Sequence, residues 1–283
     1  MKNKLKENIC WMNGHWGTTN EISIPISDRG LNLGDGIFET ILIYKNQPQL
    51  LTKHLNRWQK SASILHMASP PSKKWLKPLI DEAIERSRLH KGLGALRLNW
   101  SRGDNFLRGI QIQTGHSQTT DHRFWLEINQ IEPSFSKVST LISRHEKRNA
   151  CSLLSQCKTF AYGQSIQAKH EAIQSGYDEA LLLSTNGKLC CSSTANLLVK
   201  RKDQLLTPPL ESGCLPGIMR QQGLDAGLIK EANISRDPYP EDEWFLINSL
   251  SCKSIKQVND QSLQICSDAK ELWLSLLHRK PQN

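Results

Sequence analysis

The chain has 283 residues, a formal net charge of +9 and 38% apolar residues. That length supports one large domain or two ordinary ones around a real core, and the even spread of Leu and Ile excludes a disordered chain. No run approaches the ~18 consecutive apolar residues of a membrane span, and the N-terminal MKNKLKENIC has charge without an apolar stretch, so neither a membrane partner nor a secretory signal is expected.

In chain order, residues 39–44 (ETILIY) read as a strand followed by a turn at 45–48. Leu51, Leu55, Trp58 and Ile64 recur at helical spacing over about residues 52–66. Pro70-Pro71-Ser72 breaks the chain, and Trp75, Leu76, Leu79, Ile80, Ala83 and Ile84 mark a second helix. Residues 95–101 and 123–129 read as strands. Residues 131–136, with a proline and small polar residues, are the expected linker. It separates a small N-terminal α/β domain (1–130) from a larger C-terminal domain (137–283). The second half predicts a strand near 138–143 and a helix over 165–174 stopped by Gly176. Strands at 179–184 and 196–200 bracket Asn186-Gly187, a hairpin signal. A helix starts at Pro216-Gly217 and runs to about Gly227, a strand covers 244–247, and a terminal helix over 267–278 is capped by Ser267. Two α+β halves (class α+β / α/β) are the expected organisation.

The eight cysteines form no C-x-x-C pair and the histidines show no metal-binding spacing. No metal is expected, and reduced thiols point to a cytoplasmic protein. The basic residues are dispersed and match no nucleic-acid motif. A basic surface instead suits a small anionic partner.

Three stretches could carry chemistry. Residues 27–40 (SDRGLNLGDGIFET) hold Gly30, Gly34 and Gly36. They read either as a tight turn feeding a strand or as a loop whose backbone lies against a ligand. Residues 214–220 (CLPGIMR) read as an ordinary Pro-Gly helix start or as an anion site made by its first N–H groups. In QCKTFAYGQ (156–164), Lys158 stands between Leu153-Leu154 and Phe160. A desolvated lysine there would suit nucleophilic chemistry at a carbonyl; a solvated one would be plain surface.

These stretches, with His54-Leu55-Asn56-Arg57, GYDEALLLSTNGK, SSTANLLV and LTPPL, follow one another in an order that resembles class IV aminotransferases over roughly residues 13–258. That family holds the fold type IV pyridoxal-phosphate enzymes: branched-chain and D-amino acid aminotransferases and 4-amino-4-deoxychorismate lyase. SRG (101–103), Arg148-Asn149 and GIMRQ (217–221) look most like the lyase. The resemblance implies a two-domain fold type IV homodimer. Lys158 would carry the pyridoxal 5′-phosphate, and Arg57 would clamp its phosphate together with the N–H groups of Ile218 and Met219 and with Ser249. Tyr162 would approach the phenolic oxygen, and Arg102 and Arg108 would hold a substrate carboxylate.

One departure concerns the ring nitrogen. Counting back from Asn196, the family's glutamate falls on Cys191 and its threonine on Cys190. A thiol, with reference pKa ~8.5, does not keep the pyridine protonated as a carboxylate does. This favours an elimination that releases pyruvate and leaves 4-aminobenzoate, for folate synthesis, over transamination of branched-chain or D-amino acids. A cofactor-binding homologue without ordinary activity is the further reading. A second departure puts Ala161 where the family often has asparagine.

Overall fold

The computed structural model describes residues 8–89, 92–104, 109–112 and 121–279. It separates into two compact units. One holds the described residues up to Glu132 together with Cys157–Ala161; the other holds Pro133–Gln156 and the described residues from Tyr162 onward. Among the described residues no helix is long and apolar enough to cross a membrane.

The first unit contains β1 (Ile9–Met12), β2 (His15–Thr18), α1 (Arg29–Leu33), β3 (Gly36–Tyr44), β4 (Gln47–Pro48), α2 (Leu51–Ile64), α3 (Lys73–Arg86), β5 (Leu93–Ser101) and β6 (Arg123–Ile131). The strands form an antiparallel sheet in the order β2-β1-β6-β5-β3-β4. Period-two alternation sends Ile37, Ile41, Leu96, Leu98, Leu126 and Ile128 to one face, where Leu55 and Trp58 of α2 and Leu76, Ile80 and Ala83 of α3 cover them. α3 starts earlier than its apolar spacing suggests, because Ser72 caps it by accepting from the Trp75 N–H at 3.3 Å.

The glycine-rich stretch is neither a simple turn nor a bare loop. Asp28 caps α1 and Gly34 ends it in the left-handed region at φ 67°. Beyond β4, the edge of β3 is completed by the lysine-bearing segment: Phe38 N–H donates to the Lys158 carbonyl at 2.9 Å, and Phe160 N–H donates to the Gly36 carbonyl at 2.9 Å. A Cβ on Gly30 would meet the Phe160 ring at 2.8 Å, and one on Gly36 would overlap that ring. The glycines therefore admit protein, namely the strand that presents Lys158. This pairing places residues 157–161 in the first unit, outside the C-terminal span 137–283 expected for them.

The second unit contains β7 (Lys137–Arg148), α4 (Gly163–Gln174), β8 (Glu179–Ser184), β9 (Leu189–Ser192), β10 (Asn196–Arg201), β11 (Gln204–Thr207), α5 (Ile218–Asp225), β12 (Ile229–Glu231), β13 (Glu243–Asn248), β14 (Ser251–Val258), β15 (Gln261–Ser262) and α6 (Ala269–Leu277). Its main strand order is β12-β11-β10-β13-β14-β7-β8-β9, and a β9–β10 pairing closes six of these strands into a barrel. Parallel β7 and β8 are joined through α4, whose Ala168 and Ala172 pack on Leu141, Ala180 and Leu182. Gly176, at φ 82°, follows the last turn of α4 as expected.

Two expectations are corrected here. The strand returning from Asn186-Gly187 is β9 (Leu189–Ser192), not 196–200; β10 instead closes the barrel. The cap of α6 is Asp268, whose side chain accepts from Lys270 N–H at 2.7 Å and Glu271 N–H at 3.2 Å. Ser267 is occupied by Glu243, to which its N–H and hydroxyl both donate.

Candidate active site

Lys158 lies at the N-terminal end of β3. Strand pairing puts it beside Phe38, on the sheet face away from α2 and α3, and its Nζ stands 4.2 Å from the Phe38 ring centroid. Phe160, two residues on, packs at 6.1 Å from Phe38 and 5.6 Å from Trp125. Leu153 and Leu154, expected to wall the lysine, are exposed at 57% and 53%. Aromatic rings of the N-terminal sheet supply its apolar surroundings instead.

On the opposite face of β3, Glu39 stands among Ile37 and Ile41 with no exposure. It is held by two residues of α2. Arg57 donates through Nε at 2.8 Å and through its NH2 group at 2.6 Å, and His54 Nδ1 lies 2.6 Å away. Burial would raise the Glu39 carboxyl, but Arg57 and His54 overcome that and hold its pKa at about 2. Burial pulls the His54 imidazole below its usual range, helped by the Arg57 and Lys158 charges and opposed by Glu39.

Arg102 is not placed as a substrate clamp. It is buried, with Nε on Asp35 at 2.9 Å and its other two nitrogens on the His66 and Leu65 carbonyls at 3.1 and 2.9 Å. Asp35 also accepts from Arg29 Nε at 2.8 Å, so these arginines brace residues 27–40. Arg108 lies outside the described residues. A cation that sequence reasoning missed is Arg97. Its guanidinium carbon is 3.7 Å from the centroid of the Phe38 ring that also meets Lys158.

In the second unit, one rim of the barrel gathers several expected residues. Cys191 pairs with Asn196, and Asn196 pairs with Ile247 near the end of β13. Ser249 lies in the β13–β14 turn, where Asn248 Oδ1 accepts from Leu250 and Ser251 N–H. Asn196 Nδ2 donates to the Leu215 carbonyl at 2.9 Å, and a Cβ on Gly217 would overlap Asn196 Oδ1. Gly217 is thus required at the N-cap of α5, where no side chain caps Ile218 and Met219. Those first-turn N–H groups make an anion-seeking helix end. Tyr162, half-buried, is the N-cap residue of α4.

Cys191 is buried beside Cys190 and Cys214. Hydrogen bonding to Cys191 leads the causes that push the Cys190 thiol well up, and hydrogen bonding to Cys190, then burial, does the same for Cys214. The nearest sequence carboxylates are engaged elsewhere. Asp178 accepts from Ser139 N–H and Oγ at 2.8 and 2.9 Å, and Glu179 accepts from Ser193 Oγ at 2.6 Å. Among the described residues, no group of three His, Cys, Asp or Glu could hold a metal ion.

The family described as amino-transferase class IV matches residues 36–258. The chain belongs to the class IV aminotransferases. The aminodeoxychorismate lyase of Bacillus subtilis is 24% identical over 216 residues, covering 75% of this chain and 71% of that one. The D-alanine aminotransferase of Listeria monocytogenes is 22% identical over 280 residues, covering 95% and 93%. A hypothetical aminotransferase from Mycobacterium tuberculosis, solved in a PLP-bound form, shares the fold with a TM-score of 0.80 at 18% identity, over 96% of this chain and 99% of that one. A class IV aminotransferase depends on pyridoxal 5′-phosphate. Each unit taken by itself holds groups of the kind that cofactor needs: the first an arginine and a lysine among aromatic rings, the second an uncapped helix end. The buried thiol at 191 is the departure.

Proposed function

We propose that this chain is a pyridoxal-phosphate lyase acting like aminodeoxychorismate lyase, releasing pyruvate from 4-amino-4-deoxychorismate and leaving 4-aminobenzoate for folate synthesis. The observation that carries the reading is Cys191, a buried thiol on the barrel rim where the family has a carboxylate, beside Cys190 and Cys214, whose thiols are pushed well up. When bound, pyridoxal 5′-phosphate supplies an electron-accepting ring conjugated to the amino-bearing carbon of the substrate. By the resemblance, Arg57, Ser249 and the N–H groups of Ile218 and Met219 would hold its phosphate, Tyr162 would serve its phenolic oxygen, and Cys191 would take the place of the carboxylate at its nitrogen. Lys158 would carry the cofactor and take the proton from the amino-bearing carbon. Loss of that proton, with cleavage of the bond between the ring carbon and the enolpyruvyl oxygen, would make the substrate ring aromatic, and the departing enolpyruvate would take up a proton to become pyruvate. Aromatisation would drive this step without a protonated pyridine, which would let a thiol serve at 191. Arg97, whose Nε donates to Asn99 Oδ1 at 2.7 Å and lies 3.6 Å from Glu127, shares the Phe38 ring with Lys158 and would be the cation offered to a substrate carboxylate there.

Two features support the expected partner and location. Ile26, Leu31, Leu33, Ile110 and Ile112 are exposed, and Arg29 ties their two segments together by donating to the Gln111 and Ile110 carbonyls at 3.1 and 3.4 Å. A second copy of the chain would cover this apolar patch in a homodimer. Eight free thiols suit a reducing cytoplasm.

The test incubates the holoprotein with 4-amino-4-deoxychorismate and follows pyruvate and 4-aminobenzoate. A parallel reaction offers D-alanine with 2-oxoglutarate. Pyruvate and 4-aminobenzoate in equal amounts, absent in Lys158→Ala, are expected. Amino-group transfer without 4-aminobenzoate would make the chain an aminotransferase, a reading favoured by the long match to the D-alanine enzyme. Cofactor binding with neither reaction would leave the non-catalytic reading.

A further inference from the structure

The structure assigns Glu39 and His54 a positioning role: together they fix the direction of the Arg57 guanidinium, and through it the preference of the site for a phosphorylated cofactor. This rests on the reading of Arg57 as the phosphate clamp.

Glu39 sits on an apolar strand face, with Leu98 opposite it in the register and Ile37 and Ile41 on either side. A carboxylate there, with no exposure, persists only if its partners are fixed. Arg57 turns one whole edge, Nε and the NH2 group, onto the two carboxylate oxygens at 2.8 and 2.6 Å. That bidentate pairing sets the plane of the guanidinium and directs its third nitrogen away from Glu39. His54 lies one helical turn before Arg57 on α2 and reaches the same carboxylate at 2.6 Å. A neutral imidazole there donates its Nδ1–H, so Glu39 is held from two directions and cannot swing with Arg57. The residue before Glu39 is Phe38, whose N–H holds the Lys158 carbonyl at 2.9 Å. One strand therefore places both the lysine and the carboxylate that aims the arginine.

The experiment compares the affinities of the cofactor-stripped full chain for pyridoxal 5′-phosphate and for pyridoxal, read from the absorbance each acquires on joining Lys158. Glu39→Gln and His54→Leu are expected to cut the preference for the phosphorylated form roughly tenfold, the usual scale for loss of an orienting partner, with pyridoxal affinity unchanged. His54→Asn, which keeps a donor for Glu39, is expected to retain the preference. Equal weakening of both ligands would reduce the pair to a structural salt bridge and overturn the inference. So would a preference that rises in Glu39→Gln, which would mean that Glu39 only neutralises Arg57. Arg57→Gln separates the two layers. If it leaves the preference intact, the clamp reading itself falls; if it abolishes the preference while the Glu39 and His54 variants do not, only the positioning inference falls. Should Glu39→Gln fail to fold, the His54 pair, which leaves the Glu39–Arg57 bond in place, decides the matter alone.

Discussion

Replacing Cys191 by Glu restores a carboxylate between Leu182 and Asn196, its partners on the two adjoining strands. With an anion at that rim the ring nitrogen would hold its proton. Cys191→Glu is therefore expected to raise amino-group transfer from simple amino acids by roughly tenfold, equivalent to about 1.4 kcal/mol of barrier, without raising pyruvate release. A transfer rate that stays flat would break the link between the thiol and the choice of reaction. Lys158 and Arg57 stand out in the sequence because their neighbours resemble known motifs. Glu39 and His54 were not read as a pair, since fifteen residues separate them and the bond depends on α2 folding over β3. A signal was nonetheless present: in ETILIY, Glu39 shares its strand face with Ile41 and Ile43, and a lone charge in an otherwise apolar series needs a buried partner. Arg102 misled for the converse reason. Its type suits a carboxylate ligand, but the acceptors that occupy it, Asp35 and two carbonyls, come from distant stretches of chain.

At the level of elements, strands with dense apolar alternation were read closely, and β8 occupies the predicted residues 179–184. Strand β14 was missed because SCKSIKQV mixes polar and charged residues, and its place is set by its neighbours β13 and β7. Strand β9 (LCCS) lacks the β-branched and aromatic residues that announce a strand. The glycines show how an element can be designed around a visitor from elsewhere in the chain. Gly36→Ala pushes a methyl into the Phe160 ring and is expected to destabilise the fold by about 1–3 kcal/mol, as overpacking does, with weakened cofactor retention, measurable by urea denaturation and absorbance. Gly217→Ala makes the analogous overlap with Asn196. Adding Asn196→Ala removes the obstruction, so the double variant is expected to lose less stability than the two single losses summed. At α6, Asp268→Ala is expected to cost about 1 kcal/mol of stability, the usual scale for a lost N-cap.

For the whole molecule, acid sensitivity follows from groups whose folded pKa values are depressed. The unfolded chain then binds more protons than the folded one, so stability rises with pH. The His54 contribution begins to fade as pH falls below the ordinary imidazole value of 6.5. The Glu39 contribution is present above the ordinary glutamate value of 4.5 and is lost as pH falls toward its folded value of about 2. Urea midpoints measured from pH 7 down to 3 are expected to fall in two stages, and His54→Leu is expected to flatten the first. The thiols divide as clearly. Cys151 and Cys266 are exposed and the other six are buried; burial, with Glu127 nearby, pushes Cys10 up to about 11, and burial pushes Cys252 up to about 12. A disulfide reagent is expected to modify two thiols rapidly in the native protein and the remaining six on unfolding; rapid reaction at Cys191 would contradict the burial of that rim. The assignment of residues 157–161 to the first unit also has a bearing on how the chain is made. A nascent chain emerging from the ribosome N-terminus first has translated all of β1 to β6 before the strand that completes the edge of β3 exists. Until residue 160 is out, β3 offers unpaired backbone groups beside a cleft sized for Phe160, an open invitation to another chain. Translation of the short stretch between Glu132 and Cys157 is thus the interval in which a chaperone has most to protect.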